Sequence, residues 1–140
     1  MTEMLPSFHD YLLTGYAVDG EQGTLCFTLR WPYDEIAVAI QRATITFKGV
    51  SAYRFEHDLG QNILLDIEEF PLAQCLNEQA AFFDAQRRWG WPRFWQHGHE
   101  AALATLTQQG VRAFAISPSY GMSGWILAQT VHHQVLPPVS

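Results

Sequence analysis

The stretch Thr24-Leu25-Cys26-Phe27-Thr28-Leu29-Arg30-Trp31 decides the fold class, because its apolar and polar side chains alternate strictly. In an extended chain Leu25, Phe27, Leu29 and Trp31 lie on one side and the polar residues on the other. A period of two indicates a strand with one buried face. An apolar stretch over residues 11–18 and a glycine-bounded turn precede it, so the two stretches predict a β-hairpin.

Two further stretches predict strands. Residues 43–56 alternate as one long strand, in which Gly49 and Ser51 predict a bend or bulge. Residues 63–67 follow a turn, and their parity places Ile63, Leu65 and Ile67 inward and Asp66 and Glu68 outward. Residues 36–42 leave two alternatives open, a short strand and a turn of helix.

After Pro71 helix-forming residues replace β-branched ones. They predict one helix over residues 72–89 ended by Gly90, and a second from Pro92 to Gly110. Strands over residues 111–117 and 124–133 follow, and residues 133–140 are expected to be a tail. The order ββββααββ predicts an α+β fold over residues 1–140 as a single domain, with a mostly antiparallel sheet of about six strands and the two helices packed on one face.

Composition excludes whole classes of protein. With 48% hydrophobic and 16% charged residues among 140, the chain has enough apolar surface to fold. It contains no apolar run of the ~18 residues that a membrane span needs, and its N-terminus lacks the pattern of a secretory signal. Cys26 and Cys75 do not form a disulfide framework, so we expect two reduced thiols in a cytoplasmic protein.

Charge is distributed unevenly along the chain. Residues 1–86 contain 13 acidic and 4 basic residues (4 − 13 = −9), and residues 87–140 contain 1 acidic and 4 basic residues (4 − 1 = +3). The acidic part argues against nucleic-acid binding, since phosphates need a positive surface. The basic part is compatible with a small anion or an acidic patch on a protein partner.

The segment of residues 87–97, Arg87-Arg88-Trp89-Gly90-Trp91-Pro92-Arg93-Phe94-Trp95-Gln96-His97, is the most unusual in the chain, with three of the five tryptophans. Tryptophan and arginine are enriched at the energetic centres of protein interfaces. The alternative is that the tryptophans fill the core and the arginines extend past them. We expect Trp91 and Trp95 in the core, and we take four residues as candidates for protein binding: Arg87, Arg88, Trp89 and Arg93.

Asp66, Glu68 and Glu69 form the one acidic cluster and are further candidates for protein binding. Asp66 and Glu68 share a strand face, which would also suit a cation or an acid–base pair. More often such residues face solvent and meet cations across the sheet, here Lys48 or Arg54.

Histidines provide only weak metal candidates. His97 and His99 lie about 200° apart around a helix and cannot bind one ion together there, although a loop would allow it. His9-Asp10 and His57-Asp58 flank predicted strands, where the aspartates are expected to accept backbone hydrogen bonds in turns. No Walker loop, dinucleotide fingerprint or nucleophile elbow is present, so we expect no metal, no cofactor and no catalytic residues.

Three runs in the first half carry a resemblance: Phe8-His9-Asp10, Ile45-Thr46-Phe47-Lys48-Gly49-Val50 and Ile63-Leu64-Leu65-Asp66-Ile67. They resemble small uncharacterised bacterial α+β proteins, some of which are similar to immunity proteins of polymorphic toxin systems. The resemblance rests on strand patterning and carries over no catalytic residue. It implies a protein that binds a toxin and blocks it.

The sequence therefore predicts a non-enzymatic cytoplasmic protein that binds another protein or itself, and neither nucleic acid nor membrane. An immunity-type inhibitor is the specific form of this hypothesis. The alternative is a small-molecule binding protein or a metal-dependent hydrolase with a pocket between sheet and helices.

Overall fold

The computed structural model describes residues 5–138, which form one antiparallel β-sheet with a helical segment between its fifth and sixth strands. The strands are β1 (Leu12–Asp19), β2 (Thr24–Arg30), β3 (Arg42–Lys48), β4 (Ala52–Glu56), β5 (Asn62–Phe70), β6 (Arg112–Tyr120), β7 (Ser123–Ala128) and β8 (Thr130–Leu136). The helices are α1 (Leu72–Glu78), α2 (Ala80–Arg87) and α3 (His99–Gln108), with a 3-10 turn at Arg93–Trp95. The predicted α+β class and antiparallel sheet are confirmed. The expected six strands and two helices were wrong, since the described residues contain eight strands and three α-helices.

The sheet has the strand order β4-β7-β6-β5-β1-β2-β3-β8 and curls until its two halves face each other. The rings of Phe27 on β2 and Phe55 on β4 lie 5.8 Å apart, although the strands are five places apart in the sheet. In a flat sheet five places would separate them by about 24 Å. Phe47 on β3 and Phe114 on β6 meet in the same way, at 5.4 Å. The space between the halves is the inner core, which the odd-numbered residues of β2 and β3 fill as the alternation predicts.

The helical segment covers the outer face of the half made by β4, β5, β6 and β7. Phe83, Trp95 and Leu106 pack there against Trp125 and Leu127 of β7 in a second apolar cluster. Because β7 is covered on both faces, its residues 125–128 are all buried and do not alternate. No residue of β1, β2, β3 or β8 belongs to the helix-packed cluster.

The stretch predicted as one strand over residues 43–56 is two strands in different places. β3 lies between β2 and β8, whereas β4 lies at the far edge of the sheet beside β7. The chain leaves β3 through Gly49, whose φ of 64° is left-handed backbone that glycine adopts without strain. The expected bend is therefore a crossover from one half of the sheet to the other.

A bulge in β5 overturns part of the predicted parity. The register between β5 and β6 shifts between Leu64 and Asp66, so Leu64 is buried and Leu65 is 45% exposed. The inward placement of Leu65 was wrong. Beyond the bulge Ile67 packs against the inner core, and Asp66 and Glu68 lie on the opposite face, as predicted.

The remaining predicted elements are interrupted at residues that the sequence pattern did not single out. The predicted helix over residues 72–89 is α1 and α2, separated at Gln79, and the predicted second helix is the 3-10 turn and α3, separated at Gly98. The last predicted strand is β7 and β8, and residues 133–136 of the expected tail belong to β8. Residues 139–140 of that tail lie outside the described residues. Among residues 5–138 no helix is long and apolar enough to cross a membrane.

Candidate functional site

The segment of residues 87–97 lies at the end of α2, and the structure separates its three tryptophans. Trp95 is 2% exposed, Trp91 46% and Trp89 66%. The expected burial of Trp95 agrees with the structure, and that of Trp91 was wrong. Trp91 lies outside the core because Gly90, with a left-handed φ of 84°, reverses the chain directly after α2.

Trp95 anchors the exposed part of the segment to the core. Its ring lies 5.0 Å from that of Phe83, and its indole Nε1 donates a hydrogen bond of 2.7 Å to Asp84 on α2. Asp84 also accepts a hydrogen bond from Arg87 and pairs with it. The hydrogen bond from Trp95 lowers the pKa of Asp84, and so does the contact with Arg87. The carboxylate thus ties both ends of the turn, residues 84 and 95, to each other.

Cations stack on the aromatic rings around this turn. The Arg88 guanidinium lies 4.7 Å from the centre of the Trp89 ring, and Arg54 of β4 lies 4.0 Å from the centre of Phe82. The Trp91 ring lies 6.1 Å from that of Phe82. We call Arg54, Phe82, Arg88, Trp89 and Trp91 the tryptophan surface. It combines three aromatic rings with two guanidinium groups, a chemistry that suits an apolar side chain beside a carboxylate.

The arginine candidates differ in how they are engaged. Arg87 is paired with Asp84, whereas Arg88 and Arg93 have no acidic partner among residues 5–138. Arg88 and Arg93 are both exposed, so their charges are available to a ligand.

The acidic candidates lie on two faces of β5. Asp66 and Glu68 interact with each other, and the hydrogen bond with Asp66, together with its charge, raises the pKa of Glu68. Glu69 points to the opposite face and forms a salt bridge of 3.2 Å with Arg112 on β6. The expected partners Lys48 and Arg54 were wrong, because β3 and β4 are not neighbours of β5.

The histidine candidates are not brought together. His97 is exposed and lines a cleft of about 320 Å³ with Ser51 and Arg93. His99 begins α3 and turns the other way, with its ring 6.0 Å from Trp95 and Nε2 3.4 Å from the carbonyl oxygen of Ala73. In the part of the chain that the structure describes, no three His, Cys, Asp or Glu side chains are grouped to hold a metal ion. Neither Asp66 nor Glu68 lines the cleft of His97.

The predicted backbone hydrogen bond is present at Asp58, whereas the side-chain acceptor Asp10 is contacted by another side chain. Asp58 accepts hydrogen bonds from the backbone N–H of Gly60 and the side chain of Asn62, and the Tyr16 hydroxyl donates a third of 3.0 Å. These bonds lower the pKa of Asp58. Asp10 accepts a hydrogen bond of 3.3 Å from the hydroxyl of Ser119.

Sequence reasoning missed a basic face on the helix-free half of the sheet. Arg30 on β2 and Arg42 on β3 are directly opposite each other, and Lys48 lies on the same face at the far end of β3. We call these three residues the basic face. Their polar parity was visible in the sequence, but the pairing of β2 with β3 in this register was not. They come from the half of the sequence that is acidic overall.

Comparisons of the chain with known protein families, with curated proteins and with solved structures found no match.

Proposed function

We propose that this protein is a non-enzymatic binding domain that docks an acidic, partly apolar patch of another protein on its tryptophan surface. The observation that carries the proposal is Trp89, which is 66% exposed and held on a turn whose other end is anchored in the core. Covering its exposed ring area is worth roughly 2–4 kcal/mol before the costs of association. Few exposed side chains offer as much to a partner.

Charge favours an acidic partner. Arg54 of the tryptophan surface pairs with Glu56 at 3.9 Å. Arg88 of the same surface, and Arg93 outside it, have no carboxylate within salt-bridge distance among the described residues, so a partner's Asp or Glu meets no competitor at these two side chains. Opposite charges at the rim of an interface mainly raise the association rate and make it sensitive to salt. Asp66, Glu68 and Glu69 are less suited to this role, since Glu69 already pairs with Arg112.

The resemblance of the first-half strands to immunity proteins supports a toxin as this partner, and steric occlusion of its active site as the mechanism. Such a protein needs no catalytic group of its own. The unpaired thiols Cys26 and Cys75 support the cytoplasm as the place where it acts.

The test compares four immobilised proteins in lysate of the native cell: wild type, Trp89→Ala, Arg88→Glu and the control Leu59→Ala. Leu59 is 60% exposed on the loop before β5, so its truncation removes a similarly accessible apolar side chain elsewhere. Retained proteins are identified by mass spectrometry along a salt gradient, and the dissociation constant of any specific one is then measured with purified components. Circular dichroism verifies that each variant is folded.

We expect one protein to be retained by wild type and by Leu59→Ala. Trp89→Ala should weaken its binding by about 30-fold, which corresponds to about 2 kcal/mol. Arg88→Glu should release it at lower salt. Equal retention by all four proteins, or no specific retention by wild type, would overturn the proposal.

A further inference from the structure

The ends of β2 and β3 place two positive charges side by side. Arg30 and Arg42 are directly opposite each other in the ladder, so both side chains project from the same face of the sheet. Like charges in this arrangement destabilise a sheet. Arg42 donates a hydrogen bond of 3.2 Å to the carbonyl oxygen of Pro137, and neither guanidinium has a carboxylate within 4.0 Å in residues 5–138.

Both arginines line a cleft of about 390 Å³ beneath the loop of residues 31–41. This volume is within the range of sites that hold small organic molecules. Trp31, Tyr33 and Asp34 also line it. The cleft therefore combines two cations with aromatic walls and a single acid.

The loop above the cleft is held in place by its own contacts. The Trp31 indole Nε1 donates a hydrogen bond of 3.0 Å to the Ile36 carbonyl oxygen, and the Tyr11 hydroxyl donates one to the carbonyl oxygen of Ile40. The Trp31 ring lies 5.0 Å from Tyr33 and 5.1 Å from Tyr11. The walls are thus formed before any ligand binds, which lowers the ordering cost of binding.

We propose that this cleft binds a small aromatic anion, with its carboxylate or phosphate group between Arg30 and Arg42 and its ring against Trp31 and Tyr33. Guanidinium groups bind both kinds of anion through paired hydrogen bonds. The anion also relieves the repulsion between the two arginines. The site lies on the helix-free half of the sheet and does not depend on the tryptophan surface.

The test measures binding of phenyl phosphate, benzoate and inorganic phosphate by calorimetry and by amide and indole shifts in NMR spectra. Two charge-assisted hydrogen bonds support weak binding, so we expect a dissociation constant of about 1 mM for an aromatic anion. Inorganic phosphate, which lacks the ring, should bind more weakly. Phenyl phosphate and benzoate distinguish the two anion chemistries by which of them binds more tightly.

Variants locate the site. Arg30→Gln and Arg42→Gln should each weaken binding of the tighter aromatic anion at least tenfold. The matched control is Lys48→Gln, which removes one positive charge from the basic face about 20 Å along β3 from Arg42. The dissociation constant of Lys48→Gln for the same anion should stay within twofold of the wild-type value. Asp34→Asn removes the acid that lines the cleft and should tighten binding, a gain that a misfolded variant cannot show.

Thermal unfolding gives a second readout. The aromatic anion should raise the Tm of wild type and of Lys48→Gln but not of Arg30→Gln, because only a folded site binds it. Without anion, Arg30→Gln should be at least as stable as wild type, since it removes the repulsion. The proposal is overturned if Lys48→Gln weakens binding as much as Arg30→Gln does, or if no aromatic anion binds at 10-fold the expected dissociation constant.

Discussion

The two outer faces of the curled sheet differ in their side chains, although the inner faces are alike. On the half under the helices, Ala113, Trp125 and Leu127 are buried beneath apolar residues of the helical segment. On the other half, the corresponding positions of β2 and β3 carry partly exposed polar side chains such as Thr28 and Thr44. A sheet face needs a covering layer only where its residues are apolar. The outward-facing residues thus decide where helices pack and where the sheet stays uncovered.

The largest effect should follow from removing the Phe83 ring, which packs on the covered face. Its ring lies 5.0 Å from Trp95, 5.5 Å from Phe94 and 5.7 Å from Trp125, so it connects the helices with β7. Phe83→Ala should lower the free energy of unfolding by about 3–5 kcal/mol, as truncation of a buried phenylalanine usually does. Urea denaturation measures this. The control on the open face, Thr44→Ala, should change it by about 1 kcal/mol or less.

The two cysteine thiols, one in the covering layer and one on the open face, should differ in how fast they react. Cys75 lies on α1, within the layer that covers the sheet, and burial raises its pKa to about 12. Cys26 is half-buried on the open face of β2. Because the thiolate is the reactive form, an aromatic disulfide reagent at pH 8 should modify Cys26 at least a hundredfold faster than Cys75. Cys26→Ser and Cys75→Ser variants assign the two rates. Equal rates in the folded protein would contradict the burial of Cys75, and both should become fast in urea.

The link between α2 and Trp95 should make the covered face sensitive to acid. The lowered pKa of Asp84 means that its carboxylate stabilises the folded state above the ordinary value of 3.8, and that this contribution is lost as the pH falls through the folded value. Urea midpoints measured from pH 7 to pH 2 should therefore fall less steeply in Asp84→Asn than in wild type. Trp95→Phe keeps the carboxylate and its pairing with Arg87 but removes the indole donor, so it should flatten the acid limb less than Asp84→Asn does. A wild-type slope in both variants would contradict the link.

The smallest effect should come from Glu68 on β5, the strand of the covered half that pairs with β1 of the open half. Asp66 raises the pKa of Glu68, so the charged form is less favourable in the folded state and stability falls as the pH rises above the ordinary value of 4.5. Glu68→Gln should therefore be at least as stable as wild type at pH 7. Any gain in its free energy of unfolding should disappear below pH 4.5. Asp66→Asn relieves the same repulsion and should not add to the effect. A lower midpoint for Glu68→Gln at pH 7 would show that Glu68 has a stabilising contact instead.

The candidate sites were predictable only in part. The composition of residues 87–97 pointed to Arg88 and Trp89 of the tryptophan surface, but it placed Trp91 in the core and did not indicate Arg54 or Phe82. Which tryptophan is buried depends on the reversal at Gly90 and on the hydrogen bond from Trp95 to Asp84, and neither leaves a periodic pattern. The cleft at Arg30 and Arg42 depends on the pairing register of two strands separated by an irregular loop, which local sequence does not encode.

By itself the sequence determined the α+β class, the hairpin of β1 and β2 and the alternation of β2, because side-chain periodicity is a local property of the chain. Only the tertiary structure decided that the sheet curls, that residues 43–56 cross from one half to the other, and that Leu64 replaces Leu65 in the core. These features arise from long-range strand pairing, whose free energy comes from residues far apart in sequence burying their apolar faces together.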